Sequence, residues 1–216
     1  MKLYGYWRSS ASYRVRIALK LKQIDVEHVP VNLKRGEHKD GAYAGINPQR
    51  LVPTLELDDG HRITQSAAII AYLDETYRQN PLFPSDPLMR AQARAAISVI
   101  GGDTAPIQNL RVLSYLRDTL GHSEAETHEW ARHWIATGLT NLEHIAQSSE
   151  AAFTITKEPS AIECFLVPQM YNARRFGVDM DTLPVLSAIE RRCQTLSAFD
   201  AARPEKQADA PPEAKP

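Results

Sequence analysis

The spacing of apolar and polar residues predicts strands and helices in alternation over the first 80 residues. "KLYGYW" (Lys2–Trp7) alternates and is rich in aromatic residues, which favours a strand. From Ala11 to Lys22 apolar residues recur at helical spacing, with most basic residues on the opposite side. "DVEHVPVNL" (Asp25–Leu33) predicts a second strand. Its Pro30 cannot donate a hydrogen bond to a neighbouring strand, so the strand should lie at a sheet edge or carry a bulge.

A hairpin and a helix follow. "PTLELDDGHRIT" predicts two strands joined by a tight turn at Asp58-Asp59-Gly60, and "QSAAIIAYLDETY" predicts a helix with Ser66 as its N-cap. The apolar stripe of this helix consists of Ile69, Ile70, Leu73 and Tyr77. This order of elements fits an α/β domain over residues 1–80, in which helices cover a mixed sheet.

The remainder of the chain predicts an all-helical domain. Three prolines between Arg78 and Leu88 mark a linker, placed at residues 81–88, and residues 89–200 show helical periodicity alone. The predicted helices are Pro87–Leu120, Ser123–Gln147, Ser160–Phe176 and Leu183–Phe199. Ser160 and Glu163 have the spacing of a capping box, and Pro168 should kink the helix that they begin.

The C-terminal stretch "AARPEKQADAPPEAKP" contains four prolines and almost no large apolar residue. Such a composition buries too little apolar surface to offset the entropy lost on ordering. Residues 201–216 are therefore predicted to be disordered and without a function.

Charge and cysteine content exclude several classes of function. Lys plus Arg number 25 against 26 Asp plus Glu, so no overall field attracts nucleic acid or anionic lipid. No apolar stretch approaches about 20 residues and the N-terminus lacks a signal sequence, so we expect a cytoplasmic protein with no membrane partner. Cys164 and Cys193 form no CxxC, and the histidines are scattered, so no metal site is expected.

A serine-rich turn, "RSSAS" (Arg8–Ser12), joins the first strand to the first helix. Hydroxyls and unpaired amides at a helix N-terminus favour a bound anion, which could be a carboxylate, a phosphate or a thiolate. The pattern is equally compatible with a serine that serves only as an N-cap. The nearby Arg14 and Arg16 are expected on a solvated face or in ion pairs.

A second candidate combines "LVPTL" with "TQSAA". A cis Val52–Pro53 bond is feasible and would turn the Val52 backbone outward, where it could pair with an extended peptide. Gln65 and Ser66 at the following helix N-terminus would suit a ligand carboxylate. Taken separately, Pro53 could be an edge proline and Ser66 a simple cap.

Five stretches together resemble the zeta class of glutathione transferases, which includes maleylacetoacetate and maleylpyruvate isomerases. They are "RSSASYRVRIALKLK", "NPQRLVPTL", "QSAAIIAYL", "PIQNLRVLSYL" and "FLVPQMYNARRFGVD", and the resemblance runs from Met1 to about Phe199. It implies the glutathione transferase fold, with a thioredoxin-like N-terminal domain and an all-α C-terminal domain. It also implies glutathione as cofactor and a homodimer.

The resemblance assigns roles to particular residues. Ser9 and Ser10 would be catalytic by stabilising the glutathione sulfur, and Val52 would pair with the cysteinyl backbone. Gln65 and Ser66 would hold the γ-glutamyl carboxylate, and His38 lies where the family contacts the glycyl end. The other implied contacts are Asn109 with glutathione, and Arg8, Arg111 and Arg175 with the substrate.

The implied activity is glutathione-dependent cis–trans isomerisation of a maleyl keto acid, maleylacetoacetate or maleylpyruvate, to the fumaryl product in aromatic catabolism. Alternatives are a conjugating, dehalogenating or peroxide-reducing transferase, or a non-catalytic module that binds a partner protein. Ala11 stands where the family turn usually has cysteine, and Ala105 where it often has glutamine. Ala11 removes the family thiol, which predicts lower turnover. Ala105 lacks a hydrogen-bonding side chain, which predicts the loss of one contact with the cofactor or the substrate.

Overall fold

The computed structural model describes residues 1–214 and divides the chain into two compact units. One unit combines Met1–Leu82 with the C-terminal segment that starts at Gln194, and the other is Phe83–Cys193. The first unit thus draws on both ends of the chain. The sequence-based boundaries, in contrast, place residues up to 200 in the helical domain.

The first unit contains a four-stranded mixed sheet in the order β2-β1-β3-β4. Its strands are β1 (Lys2–Gly5), β2 (Glu27–Pro30), β3 (Thr54–Glu56) and β4 (Arg62–Thr64). β1 pairs in parallel with β2 and antiparallel with β3, which pairs antiparallel with β4. The predicted mixed sheet and hairpin are confirmed, as is the edge position of the strand that contains Pro30.

Within Met1–Leu82 the sheet is accompanied by three α-helices, α1 (Ser10–Leu21), α2 (Gly41–Ile46) and α3 (Ser66–Thr76). The predicted stripe of α3 is buried at Ile69, Ile70 and Leu73. Tyr77 lies at the C-cap instead, and its hydroxyl donates to Met1 Sδ at 3.7 Å. The helix begins one residue earlier than predicted, because Gln65 rather than Ser66 is the N-cap.

The regular elements described in Phe83–Cys193 are helical, which confirms the predicted class of this region. They are α4 (Pro87–Ser98), a π-helical turn (Val99–Thr104), α5 (Ala105–Ile107), α6 (Leu110–Asp118), α7 (Glu124–Gln147), α8 (Ala161–Arg175), a 3₁₀ turn (Met180–Thr182) and α9 (Pro184–Gln194), the last ending at the unit boundary. The capping box of Ser160 and Glu163 is present as predicted.

Two predicted helices are interrupted. The helix predicted over Pro87–Leu120 passes through the π-helical turn and breaks before Asn109, whose Oδ1 accepts the Arg111 N–H at 3.1 Å and caps α6. In the π-helical turn, a Cβ added at Gly101 would lie 2.8 Å from Phe165 Cε1. The helix predicted over Leu183–Phe199 ends at Gln194, and α10 (Ser197–Ala202) follows as a separate element of the first unit.

Close packing at Gly138 of α7 gives a testable prediction. An added Cβ there would lie 1.9 Å from Oγ1 of the buried Thr104, which donates to the Val99 carbonyl. Gly138→Ala is therefore expected to lower the unfolding free energy by about 2–3 kcal/mol, measured by urea denaturation. The control is Gly102→Ala, where the added Cβ would lie 3.9 Å from its nearest neighbour. Equal unfolding midpoints for both variants would refute this account of the packing.

The C-terminal residues up to 214 are ordered, which differs from the predicted disorder of 201–216. After α10, short 3₁₀ turns form at Pro204–Lys206 and Pro212–Ala214. Ala210 is only 4% exposed and packs with Tyr6 and Trp7. The average composition of this segment predicts disorder. The contact of Ala210 with the two aromatic rings and the hydrogen bond from the Trp7 N–H to Asp209 hold it in place instead. Residues 215 and 216 lie outside the described range.

Candidate active site

The serine turn follows β1 and opens α1. Ser9 is the N-cap of α1, and its Oγ accepts the Ser12 N–H at 3.2 Å. The Ser12 hydroxyl oxygen also has a hydrogen-bond partner, because it accepts the Tyr6 N–H at 3.3 Å. Within the described residues, the Ser10 hydroxyl and the amides of Ser10 and Ala11 have no hydrogen-bond partner. The turn therefore presents one capping hydroxyl and a set of unused donors at a helix N-terminus.

The two arginines of α1 are buried, which corrects the prediction of a solvated face. Arg16 donates to the carbonyl oxygens of Tyr6, Trp7 and Ala202. Arg14 donates to Ser66 Oγ at 3.4 Å, which links α1 to α3. Burial lowers the pKa of both guanidinium groups to about 10, and both remain cations near neutral pH. α1 contacts both α3 and α10, so two of its faces are covered.

The Val52–Pro53 peptide bond is cis, the conformation that would turn the Val52 backbone outward. The preceding Leu51 carbonyl accepts hydrogen bonds from the Tyr43 hydroxyl and from Asn47 Nδ2, both at 2.7 Å. Across the described part of the chain, the N–H and C=O of Val52 itself have no partner. A fixed loop thus presents one residue with an unused donor and an unused acceptor, which is what an extended peptide pairs with.

A carboxylate site is predicted at the N-terminus of α3. Ser66 is buried and accepts from Arg14, so its own hydroxyl proton can point towards a ligand. The amides of Ser66 and Ala67 find no acceptor among residues 1–214. Gln65 has a φ of 68°, and its Nε2 donates to Gln49 Oε1 at 2.8 Å. The Arg14 guanidinium, the Ser66 hydroxyl and the amides of Ser66 and Ala67 therefore lie together at this helix N-terminus, and all of them favour a bound anion.

His38 lies in a 3₁₀ turn (Glu37–Lys39) and is half-buried. Desolvation and the charge of Lys39 lower its pKa, so the imidazole is neutral near pH 7. Its Nδ1 is buried and has no hydrogen-bond partner in the described residues. No described hydrogen bond connects His38 with the serine turn, so its grouping with Ser9 and Ser10 rests on the resemblance.

The predicted substrate arginines fall in different units. Arg8 belongs to the first unit, with its guanidinium carbon 5.5 Å from the centroid of the Trp7 ring. Arg111 is exposed in the first turn of α6, and Arg175 is exposed at the end of α8, 5.1 Å from the Phe176 ring centroid. The adjacent Arg174 is committed to an ion pair with Glu190.

Sequence reasoning missed an apolar groove of about 580 Å³ in the second unit. Trp130, Trp134 and Leu116 form its apolar part, and none of the predicted site residues lines it. The two tryptophans are spaced i, i+4 on α7, which places them on one helix face. That spacing is the sequence signal that could have identified the groove.

Both cysteines are buried as thiols, and burial raises the pKa of the Cys193 thiol, which makes it a poor nucleophile. Residues 1–214 contain no group of three or more His, Cys, Asp or Glu side chains arranged to hold a metal ion. No described helix combines the length and apolar character that crossing a membrane requires.

Comparison with known proteins places these features in a family. Residues 3–81 match the glutathione S-transferase N-terminal domain family. The chain is 43% identical to maleylacetoacetate isomerase of Pseudomonas aeruginosa, over 98% of this chain and 99% of that protein. The holo structure of a bacterial zeta-class maleyl pyruvate isomerase superposes with a TM-score of 0.94 at 39% identity, over 98% of this chain and all of that one.

A maleylacetoacetate isomerase from Anaeromyxobacter dehalogenans 2CP-1, solved with glutathione in its active site, matches with a TM-score of 0.88. It is 40% identical and each chain covers 97% of the other. These relatives match nearly the full length of the chain at about 40% identity. The chain therefore belongs to the glutathione transferase family, and within it to the zeta class of the maleylacetoacetate and maleylpyruvate isomerases.

Proposed function

We propose that the protein is a glutathione-dependent cis–trans isomerase that converts a maleyl keto acid, maleylacetoacetate or maleylpyruvate, to its fumaryl isomer. The observation that carries the proposal is the set of unused hydrogen-bond donors at Ser10 and Ala11, at the N-terminus of α1. The relatives named above support the reaction, because isomerisation of these two acids is the activity in their names.

Glutathione fits the first unit by its chemistry. It is an extended tripeptide with a thiol at its centre, an amide backbone that can pair with Val52, and an α-carboxylate on its γ-glutamyl residue. Gln65 and Ser66, with the buried Arg14 behind Ser66, suit that carboxylate. We assign His38 to the glycyl end and Asn109 to a further contact.

When bound, glutathione supplies a thiolate that adds reversibly to the substrate double bond, so that the carbon–carbon bond can rotate. The chain has to keep the sulfur deprotonated, and hydroxyl donors at a helix N-terminus lower the pKa of a thiol. The Ser10 hydroxyl can donate to the sulfur, and the Ser9 hydroxyl can donate while its oxygen still accepts the Ser12 N–H. The unused amides of Ser10 and Ala11 at this helix N-terminus also favour a negative charge on the sulfur.

The substrate requires cations because it carries carboxylate groups and gains negative charge as the reaction proceeds. A planar guanidinium binds a carboxylate through two parallel hydrogen bonds. We assign this role to Arg8, Arg111 and Arg175, with Arg175 as the main contact. Arg174 is excluded from it by its ion pair with Glu190.

The serine pair provides the test. One hydrogen bond to a charged group contributes about 1.5–3 kcal/mol, so Ser10→Ala should lower kcat/KM by about 10- to 150-fold without loss of stability. Ser9→Ala should lower kcat/KM similarly and also lower the unfolding free energy by about 1 kcal/mol, since Ser9 caps α1. Isomerisation of both acids is followed spectrophotometrically, with and without glutathione, alongside urea denaturation.

Ser85→Ala, at an exposed serine before α4, is the matched control and should keep activity within about twofold of the unmodified protein. Turnover of neither acid, despite glutathione binding, would refute the isomerase. Activity on halogenated acids or peroxides would then identify a different transferase. The preferred acid in this assay decides between maleylacetoacetate and maleylpyruvate.

We further infer a cytoplasmic homodimer. The cytoplasmic location is supported by two cysteines that remain thiols, and the homodimer by the resemblance to zeta-class transferases. Light scattering coupled to size-exclusion chromatography tests the dimer, since one chain has a mass of 24.2 kDa.

A further inference from the structure

The C-terminal strap, defined here as Arg203–Ala214, is joined to the strand that leads into the serine turn. Asp209 Oδ2 accepts the Trp7 N–H at 2.9 Å, across 202 positions of sequence. Trp7 is two residues before Ser9, and no helical or strand hydrogen bond holds its amide. Asp209 is therefore the partner that the structure gives to this donor.

The strap also makes an apolar contact at the same place. Ala210 packs in a cluster with Tyr6 and Trp7, against which Leu33, Val52 and Ala214 also pack. Val52 is the residue whose backbone is proposed to pair with glutathione. One short segment thus touches the residues before the serine turn and belongs to the same apolar cluster as Val52.

The opposite side of the Trp7 backbone is held by Arg16. Its guanidinium donates to the Trp7 carbonyl at 2.9 Å and to the Ala202 carbonyl at 3.1 Å, just before the strap begins. Burial lowers the pKa of this cation, and electrostatic interactions with Tyr13, Asp209 and Glu205 oppose that lowering. Both polar backbone groups of Trp7 are therefore fixed, one by α1 and the other by the strap.

We propose that Asp209 is a positioning residue for glutathione binding, which acts through the Trp7 amide on the serine turn and, with Ala210, on Val52. This inference rests on the proposed function. Asp209 touches neither glutathione nor substrate in this scheme. Its carboxylate fixes the direction in which the chain enters the turn, so the Ser9 and Ser10 donors face the sulfur while Val52 faces the peptide backbone.

The experiment compares Asp209→Ala and Asp209→Asn in the full-length chain with the control Asp200→Ala. Asp200 lies just before the strap, where it pairs with Lys206 and Arg203 at the surface. Glutathione affinity is measured by calorimetry without substrate, followed by the KM values for glutathione and for the maleyl acid, kcat and the melting temperature.

Asp209→Ala should raise the Kd and the KM for glutathione about tenfold, as expected for the loss of one hydrogen bond to a charged group, while the KM for the acid stays within twofold. Asp209→Asn should restore glutathione affinity, because an amide oxygen accepts the same N–H. Asp200→Ala should match the unmodified protein in each constant.

A melting temperature that falls with no change in glutathione affinity would overturn the inference, because the strap would then be only structural. Failure of Asp209→Asn to restore affinity would overturn it as well, because the carboxylate charge rather than the hydrogen bond would be responsible. Both results leave the proposed function intact. Absence of glutathione binding to the unmodified protein would overturn the proposed function and this inference together.

Discussion

Replacement of Glu163 by alanine is expected to lower the free energy of unfolding by about 3–5 kcal/mol. The side chain is completely buried at the start of α8. Its Oε1 accepts the Thr154 N–H and hydroxyl, and its Oε2 accepts the Ser160 N–H and hydroxyl, at 2.8–3.0 Å. Alanine would leave four donors without their acceptor in a region closed to water.

The matched control is Glu126→Ala, which removes the same capping interaction at the start of α7. Glu126 accepts the Ser123 N–H and hydroxyl at 2.8 Å, but this capping box is exposed to solvent. Water replaces the lost acceptor there, so we expect a loss of about 0.5–1 kcal/mol. Urea denaturation of both variants measures the difference, and equal losses would show that burial does not strengthen the Glu163 network.

Removal of the Asp74 carboxylate is expected to cost about 3 kcal/mol or more. Lys22 has a side-chain exposure of 0%, and its Nζ donates to Asp74 Oδ1 at 2.8 Å and to the carbonyls of Gln79 and Asn80. The same Oδ1 accepts the Leu82 N–H at 2.7 Å. Asp74→Ala would leave a buried ammonium without a counter-ion and a backbone amide without this acceptor.

Two further variants separate this pair from an ordinary surface ion pair. Asp25→Ala removes the partner of Lys20 at a carboxylate that is 98% exposed, and should change stability by less than about 0.5 kcal/mol. Adding Lys22→Met to Asp74→Ala should recover part of the loss, because the uncompensated charge is gone. Thermal unfolding of the three variants tests this, and a double variant no more stable than Asp74→Ala alone would argue against a charge effect.

Features that depend on short stretches of sequence could be predicted. The hairpin around Asp58–Gly60, the edge strand with Pro30 and the capping box at Ser160 and Glu163 follow from alternation, turn residues or i, i+3 spacing. The serine turn belongs with them, although local pattern alone could not assign the N-cap to Ser9 and the unused hydroxyl to Ser10.

Features that depend on contacts between distant parts of the chain could not be predicted from the sequence. Helical periodicity predicts one covered face for α1, whereas α3 and α10 both contact it and bury Arg14 and Arg16. The average composition of residues 201–216 does not indicate that two single side chains, Asp209 and Ala210, hold this segment against Tyr6 and Trp7. The close approach of Gly101 to Phe165 likewise joins residues 64 positions apart, beyond the reach of any local pattern.

The composition of the first unit from both ends of the chain has a consequence for synthesis on the ribosome. Domains generally fold as units during translation, with the N-terminal one first. Here the Ala202 carbonyl that binds Arg16 and the Asp209 carboxylate that binds Trp7 emerge only after the whole helical unit has been made. In the nascent chain α3 can already pack against α1, but the face of α1 that contacts α10 stays uncovered until residues 197–209 have been synthesised.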